Sequence, residues 1–243
     1  MRDILSDLVA EQQALDQFLQ RAPIRDWSVK ARNSTTVKDL VAHLASDEEL
    51  ARDSLDGGGE MLDRAIAEGP DPVLAERATR ANAMRPQDVI EWWREARARV
   101  VEALSRMEGD EQVPWFDGPV EGRRIAADRL RDTWAHALDI EGVLRGEPED
   151  SARLRHVAWI GWAELPEALA TAGEPYDGEV RLEVMGPGYS KWVWGPEGGD
   201  SLIKGPAGDW CRLVVGRIPP GALTLKVEGD LAEAAVRVLG KRR

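Results

Sequence analysis

Apolar residues recur at helical spacing from the first residues of the chain. Ile4, Leu5, Leu8, Leu15, Phe18 and Leu19 mark one face of a helix over residues 3 to 21 that stops before Ala22-Pro23. Asn33-Ser34-Thr35 reads as an N-cap cluster for a second helix, with Val37, Leu40, Val41 and Leu44 inward and Asp56-Gly57-Gly58-Gly59 as its stop. Residues 60 to 84 hold shorter apolar groups, Met61, Leu62, Ile66, Val73 and Leu74, around the interruption Gly69-Pro70-Asp71-Pro72. This predicts short helices in a lid-like excursion. A third long helix begins at Pro86 and runs through Val89, Ile90, Trp93, Ala96, Val100 and Leu104. The loop from Gly109 to Gly122 leads into a fourth, with Leu130, Trp134, Leu138 and Ile140. Four such helices, complete by Gly146, predict a bundle.

Composition changes at Glu147-Pro148-Glu149-Asp150, the expected boundary between a domain over 1–148 and one over 149–243. Residues 151 to 172 read as one helix, through Leu154, Val157, Ile160, Leu165 and Leu169. The period then shortens to two: Val180, Leu182 and Val184 alternate with charges, and Trp192–Trp194, Leu202–Ile203 and Leu223–Val227 read as further short strands. Helices over 206–216 and 231–239 accompany them. The expected class is α+β.

The fourth helix also carries chemistry. Asp132, His136 and Asp139 stand at i, i+4 and i+7 on one face, amid apolar residues dense enough to place the helix inside the protein. A carboxylate buried beside an imidazole is costly unless compensated, and a metal ion is one compensation. The chain has three histidines, and His43 lies close to the apolar stripe of the second helix. His43, Asp132 and His136 would form a two-histidine, one-carboxylate set with open coordination positions, compatible with Zn²⁺, Fe²⁺ or Ni²⁺. The alternative reading of the same residues is two hydrogen-bonded core histidines and a solvated helix charge.

Trp27, the Ala42-His43-Leu44 turn, the Asp132-Thr133-Trp134-Ala135-His136-Ala137-Leu138-Asp139 stretch and Lys191-Trp192-Val193-Trp194-Gly195-Pro196 resemble the mycothiol-dependent maleylpyruvate isomerase family of the DinB-like metal-binding superfamily. The resemblance extends over most of the chain, through Val113–Pro119 and Gly205–Cys211. It implies a DinB-like four-helix bundle followed by a small sterol-carrier-like α/β domain. It also implies a divalent transition metal, Zn²⁺ foremost, held by His43, Asp132 and His136, with mycothiol as a thiol cofactor. Asp132 stands where the family has a glutamate, one methylene longer. The family's next aspartate falls on Asp139, a general base or a partner of the ligands. Arg212 or Arg217 would hold an anionic substrate, and Arg217 is the one assigned a catalytic role. Trp159 stands where relatives carry a further histidine, which implies a drier, smaller pocket. His156 reads as an interface residue.

The remaining features narrow the class. Ten tryptophans against two tyrosines and two phenylalanines suit a pocket for an organic ligand, and motif position selects Trp115, Trp134 and Trp159 as its walls. A net charge of −12 with no basic stretch argues against nucleic acid. The single cysteine, Cys211, fits a reducing cytoplasm and, among Trp210, Leu213 and Val214, is a poor nucleophile. Neither a signal peptide nor an apolar run of membrane length is visible. The expected partner is a small-molecule substrate, and the expected assembly a monomer or homodimer. Three functions fit: a metal-dependent isomerase or thiol transferase, a thiol-independent metalloenzyme (hydrolase, cyclase or iron-dependent oxidation), and a metal- or ligand-binding protein without catalysis.

Overall fold

A computed structural model describes residues 1–146, 149–174 and 177–241, with the side chains of residues 70, 71 and 74 left aside. The chain forms two compact units, Met1–Pro148 and Glu149–Arg243. The Glu147-Pro148 part of the expected boundary lies outside the described residues.

The first unit is helical. Its long helices are α1 (Arg2–Arg21), α2 (Val37–Leu55), α5 (Pro86–Ser105) and α6 (Gly122–Leu144), with α3 (Glu60–Glu68) and α4 (Pro70–Asn82) between α2 and α5. Helix α2 packs on α5 and α6, and α1 on α6 and α5. The predicted apolar stripes meet in one core, where Leu15, Val41, Leu44, Val89, Trp93 and Ile140 are each at most 1% exposed. Burying a tryptophan and five aliphatic side chains this fully contributes on the order of 1.5–3 kcal/mol apiece before entropy is counted. The cap of α2 lies one residue beyond the predicted cluster. Thr36 Oγ1 accepts from the Asp39 N–H at 3.2 Å and the Asp39 carboxylate accepts from the Thr36 N–H at 3.1 Å, a reciprocal pair that fixes where the helix starts. The helix stops where predicted, and Gly57 takes φ +112°, a conformation that favours glycine. The expected loop from Gly109 to Gly122 contains a two-stranded ribbon, β1 (Gln112–Val113) against β2 (Val120–Glu121), which delivers the chain to α6.

The second unit opens with α7 (Leu154–Ala163) and α8 (Leu165–Thr171) in place of the single predicted helix. Pro166 has no N–H for the fourth carbonyl before it and its ring crowds that carbonyl, so one helix cannot run through. A four-stranded sheet follows in the order β4 (Lys191–Trp194), β3 (Arg181–Met185), β5 (Leu202–Pro206), β6 (Lys226–Glu228). β3 pairs antiparallel with β4 and parallel with β5, in a register that sets Leu182 beside Trp194 and Ile203. The alternation read from the sequence is real: Val180, Leu182 and Val184 are buried. The last strand is shorter than expected. Thr224 gives its backbone N–H and its hydroxyl to Asp209 Oδ2, at 2.8 and 2.7 Å, which takes that residue out of the ladder. Helices α9 (Ala207–Val214) and α10 (Asp230–Leu239) pack against the sheet. Mixed helices and sheet make the protein α+β.

Candidate functional site

Helices α2 and α6 pack together in the first unit, and this packing brings two of the three histidines side by side. The rings of His43 and His136 have centroids 4.6 Å apart at an interplanar angle of 37°. His136 Nδ1 lies 2.7 Å from the backbone carbonyl oxygen of Asp132, one turn earlier on α6. Only an N–H can occupy that position, so Nδ1 carries a proton, and in the neutral ring the lone pair is then on Nε2, the form a histidine ligand takes. His43 is held on both sides. Its Nδ1 meets Arg77 Nη1 of α4, and its Nε2 lies 3.1 Å from Asp47 Oδ2, one turn on in α2. Arg77 Nη1 also donates to Asp47 Oδ1 at 3.2 Å.

Asp132, one turn before His136 on α6, is engaged by a guanidinium. Its Oδ2 accepts from Arg129 Nη2 at 2.6 Å, and Arg129 is buried, with 7% of its side chain exposed. The imidazole pair and nearby carboxylates are the donor types a borderline transition metal takes. The two rings are adjacent, while both nitrogens of His43 and the Asp132 carboxylate are engaged by protein groups. Among the described residues no three His, Cys, Asp or Glu side chains are arranged to hold a metal ion.

Around this pair lies a charged core that periodicity did not reveal. Glu48, 1% exposed, accepts from Gln12 Nε2 of α1 at 2.9 Å, and its Oε2 has no hydrogen-bond partner among the described residues. Loss of hydration pushes Glu48 up to about 7; Arg129 opposes this, while Asp132 and Asp47 add to it. Asp47 is likewise pushed up to about 7 by desolvation, against the pull of Arg129. Arg129 itself is held above its ordinary value by the four carboxylates of Asp132, Glu48, Asp47 and Asp128, which outweigh its burial. One sequence signal existed for part of this core: Asp47 follows His43 by four residues, and Arg129 precedes Asp132 by three, both helix-neighbour spacings. Nothing in the sequence singled out Arg77, because its place depends on how α4 packs.

Glu48 makes stability depend on pH. A carboxyl that titrates at 4.5 in an unfolded chain and near 7 when folded keeps its proton longer in the native state. Stability therefore falls as pH rises between those two values and then levels. The full difference is on the order of 3 kcal/mol, and it is coupled to the titration of the neighbouring Asp47. Glu48→Gln, a neutral isostere that keeps the acceptor for Gln12, is expected to flatten most of that fall. It should raise stability at pH 8 by about 2 kcal/mol and change it little at pH 5, as read by urea unfolding at both pH values. An equal effect at the two would show that Glu48 is ionised throughout.

The other residues singled out from the sequence fall in various places. Asp139 sits on α6 just beyond His136, half-buried. Trp134 is 4% exposed and belongs to the wall of the bundle. Trp115 lies in the turn of the β ribbon, edge-on to Phe116 at 5.2 Å. Trp159, His156, Arg212 and Arg217 all belong to the second unit. There Arg212 pairs with Asp150 at 3.0 Å, and Arg217 Nη1 donates to the Val215 carbonyl at 2.6 Å. Cys211 is fully buried with its thiol pushed well up, as a structural cysteine would be. No helix among the described residues is long and apolar enough to cross a membrane.

The model of the mycothiol maleylpyruvate isomerase N-terminal domain matches residues 2–141. The uncharacterized protein Rv0036c of Mycobacterium tuberculosis (strain ATCC 25618 / H37Rv) is 28% identical over 237 residues, covering 94% of this chain and 91% of that protein. The uncharacterized protein MT0041 of M. tuberculosis (strain CDC 1551 / Oshkosh) matches to the same extent. Among solved structures, the mycothiol-dependent maleylpyruvate isomerase aligns with a TM-score of 0.58 at 17% identity, over 89% of each chain. A histidine-to-alanine mutant of that isomerase aligns with a TM-score of 0.59 at 16% identity, over the same share of each chain. At these identities the structures establish a shared fold.

Proposed function

The chain belongs to the family of the mycothiol maleylpyruvate isomerase N-terminal domain, and on that premise we propose that it is a metal-dependent enzyme acting with mycothiol on a small carbonyl-containing or anionic substrate, as an isomerase or thiol transferase. The observation that carries this reading is the adjacent pair His43 and His136, delivered by two different helices to one point. His43, His136 and Asp132 would hold the metal, Zn²⁺ foremost, with Fe²⁺ and Ni²⁺ as alternatives compatible with the same donor types. Bound there, the metal would act as a Lewis acid that lowers the pKa of a thiol or polarises a carbonyl.

The chain's own side chains would do the rest. His136 is held through Nδ1, which fixes the ring's orientation and leaves Nε2 as the nitrogen that would serve as a ligand. On His43, Arg77 can only donate to Nδ1, so the neutral ring keeps its proton on Nε2 toward Asp47, and a ligand role would require the Arg77 contact to open and the proton to move to Nδ1. Asp139, just beyond His136 on α6, would move a proton to or from the substrate. Trp115 and Trp134, both of the first unit, would supply apolar wall.

The test is turnover of maleylpyruvate by metal-reconstituted protein with mycothiol present and omitted, beside elemental analysis of the same sample. Turnover that requires both thiol and metal supports the reading. Turnover without the thiol would move the protein to a thiol-independent metalloenzyme. One observation favours a further alternative: the Arg129–Asp132 pair neutralises the third donor internally. Failure to take up metal after reconstitution would mark a bundle that keeps the family's shape as a non-catalytic binding protein.

A further inference from the structure

Between α2, α3, α4 and α5 the first unit holds a cleft of about 350 Å³. Leu50, Met61, Ala65 and Val73 give it an apolar wall, and three arginines and four acids supply its charge. Two of the arginines are matched by protein groups. Arg80 pairs with Glu49 at 3.0 Å and lies 3.7 Å over the Trp92 ring, and Arg64 pairs with Glu68 and Glu76 at 3.0 and 2.8 Å.

Arg77 is different. It is 9% exposed, and a single nitrogen, Nη1, serves both His43 Nδ1 and Asp47 Oδ1. Its Nε and Nη2 have no hydrogen-bond partner among the described residues. That edge of a guanidinium presents two parallel N–H groups, the fork that fits a carboxylate. A guanidinium is cationic at neutral pH. The cleft acids, Asp47, Glu49, Glu60 and Glu76, disfavour a dianion such as phosphate, and the volume lies at the small end of ligand pockets.

We propose that this cleft binds a small organic monocarboxylate, its carboxylate seated on the Nε–Nη2 edge of Arg77 and its apolar body against Leu50, Met61 and Val73. The same guanidinium touches His43, so the ligand is held beside the imidazole pair. That adjacency to a reacting centre rests on the function proposed above, whereas binding itself needs no metal.

The probes are 3-phenylpropionate and its neutral amide, titrated by calorimetry into chelator-treated and metal-reconstituted protein. Wild-type protein is expected to prefer the carboxylate by about tenfold or more, equally in both preparations. Arg77→Gln should erase that preference while binding the amide as before, and Arg77→Lys, which keeps charge without the fork, should restore part of it. Met61→Trp, which adds bulk to the apolar wall from α3, should weaken both probes and so reports on the cleft even if an Arg77 variant folds poorly. Equal affinity for acid and amide, absence of saturable binding, or displacement by inorganic phosphate at matched concentration would overturn the proposal. So would carboxylate binding that appears only with metal, because the carboxylate would then sit on the ion. A protein that takes up no metal yet keeps the Arg77-dependent preference would refute the metalloenzyme reading and leave this one standing.

Discussion

His136→Ala is expected to release the bound metal and to lower mycothiol-dependent turnover by about a thousandfold or more, equivalent to about 4 kcal/mol in the barrier. The size follows from the position. His136 is the imidazole whose Nδ1 is held by the carbonyl of Asp132, and His43 lies beside it on α2 at 4.6 Å. His43→Ala should cost as much, and the double variant little more than either, because residues that act as one unit are not additive. The fold should survive, since both side chains are half-exposed and the packed core lies elsewhere. Circular dichroism and urea midpoints close to wild type would separate loss of metal from loss of structure. Asp132→Asn is the informative companion. Lost metal would mean that Asp132 leaves Arg129 to coordinate, whereas retained metal would mean that the histidines find their third donor elsewhere. Full metal occupancy in both histidine variants would remove the site from the protein's chemistry.

Arg129→Met is expected to destabilise metal-free protein by about 3–5 kcal/mol, the effect of stranding buried charges whose partner is gone. Arg129 is the cation that faces Asp132 at 2.6 Å and opposes the raised titration of Asp47 and Glu48. Methionine fills much of the same length without the charge. Asp47 and Glu48 should then move further up, so the loss should be greater at pH 8 than at pH 5, where both carboxyls are protonated. Urea unfolding of chelator-treated protein at the two pH values measures this directly. If the metal is coordinated by Asp132, adding it should recover part of the loss, since a divalent ion would then compensate the same carboxylate. A variant as stable as wild type at pH 8 would show that the carboxylates around Arg129 already fold protonated.

The sequence by itself determined the long helices and the sheet. Their signals are local: Leu15, Val41, Val89 and Ile140 recur at the period of the helices that bury them, and Val180, Leu182 and Val184 alternate at the period of a strand. It also marked His43, Asp132 and His136, because an aspartate and a histidine four apart on an apolar helix are conspicuous and histidine is scarce in this chain. Which of those polar groups meet was decided by the tertiary structure. His43 and His136 come together because α2 packs on α6, while Asp132 turns to Arg129, a neighbour on its own helix whose burial the sequence did not reveal. Arg77 reaches His43 across 34 positions, and Gln12 reaches Glu48 across 36. Separations of that kind leave no periodic trace. Shorter surprises have the same origin: Pro166 divides a helix that periodicity alone would carry through, and Asp209 draws Thr224 out of the last strand. Periodicity records which face of an element is buried, because burial of apolar surface is non-directional and acts residue by residue. It is silent on which charge faces which, since a buried charge is tolerated only through its partner, and the partner is chosen by the packing of whole helices.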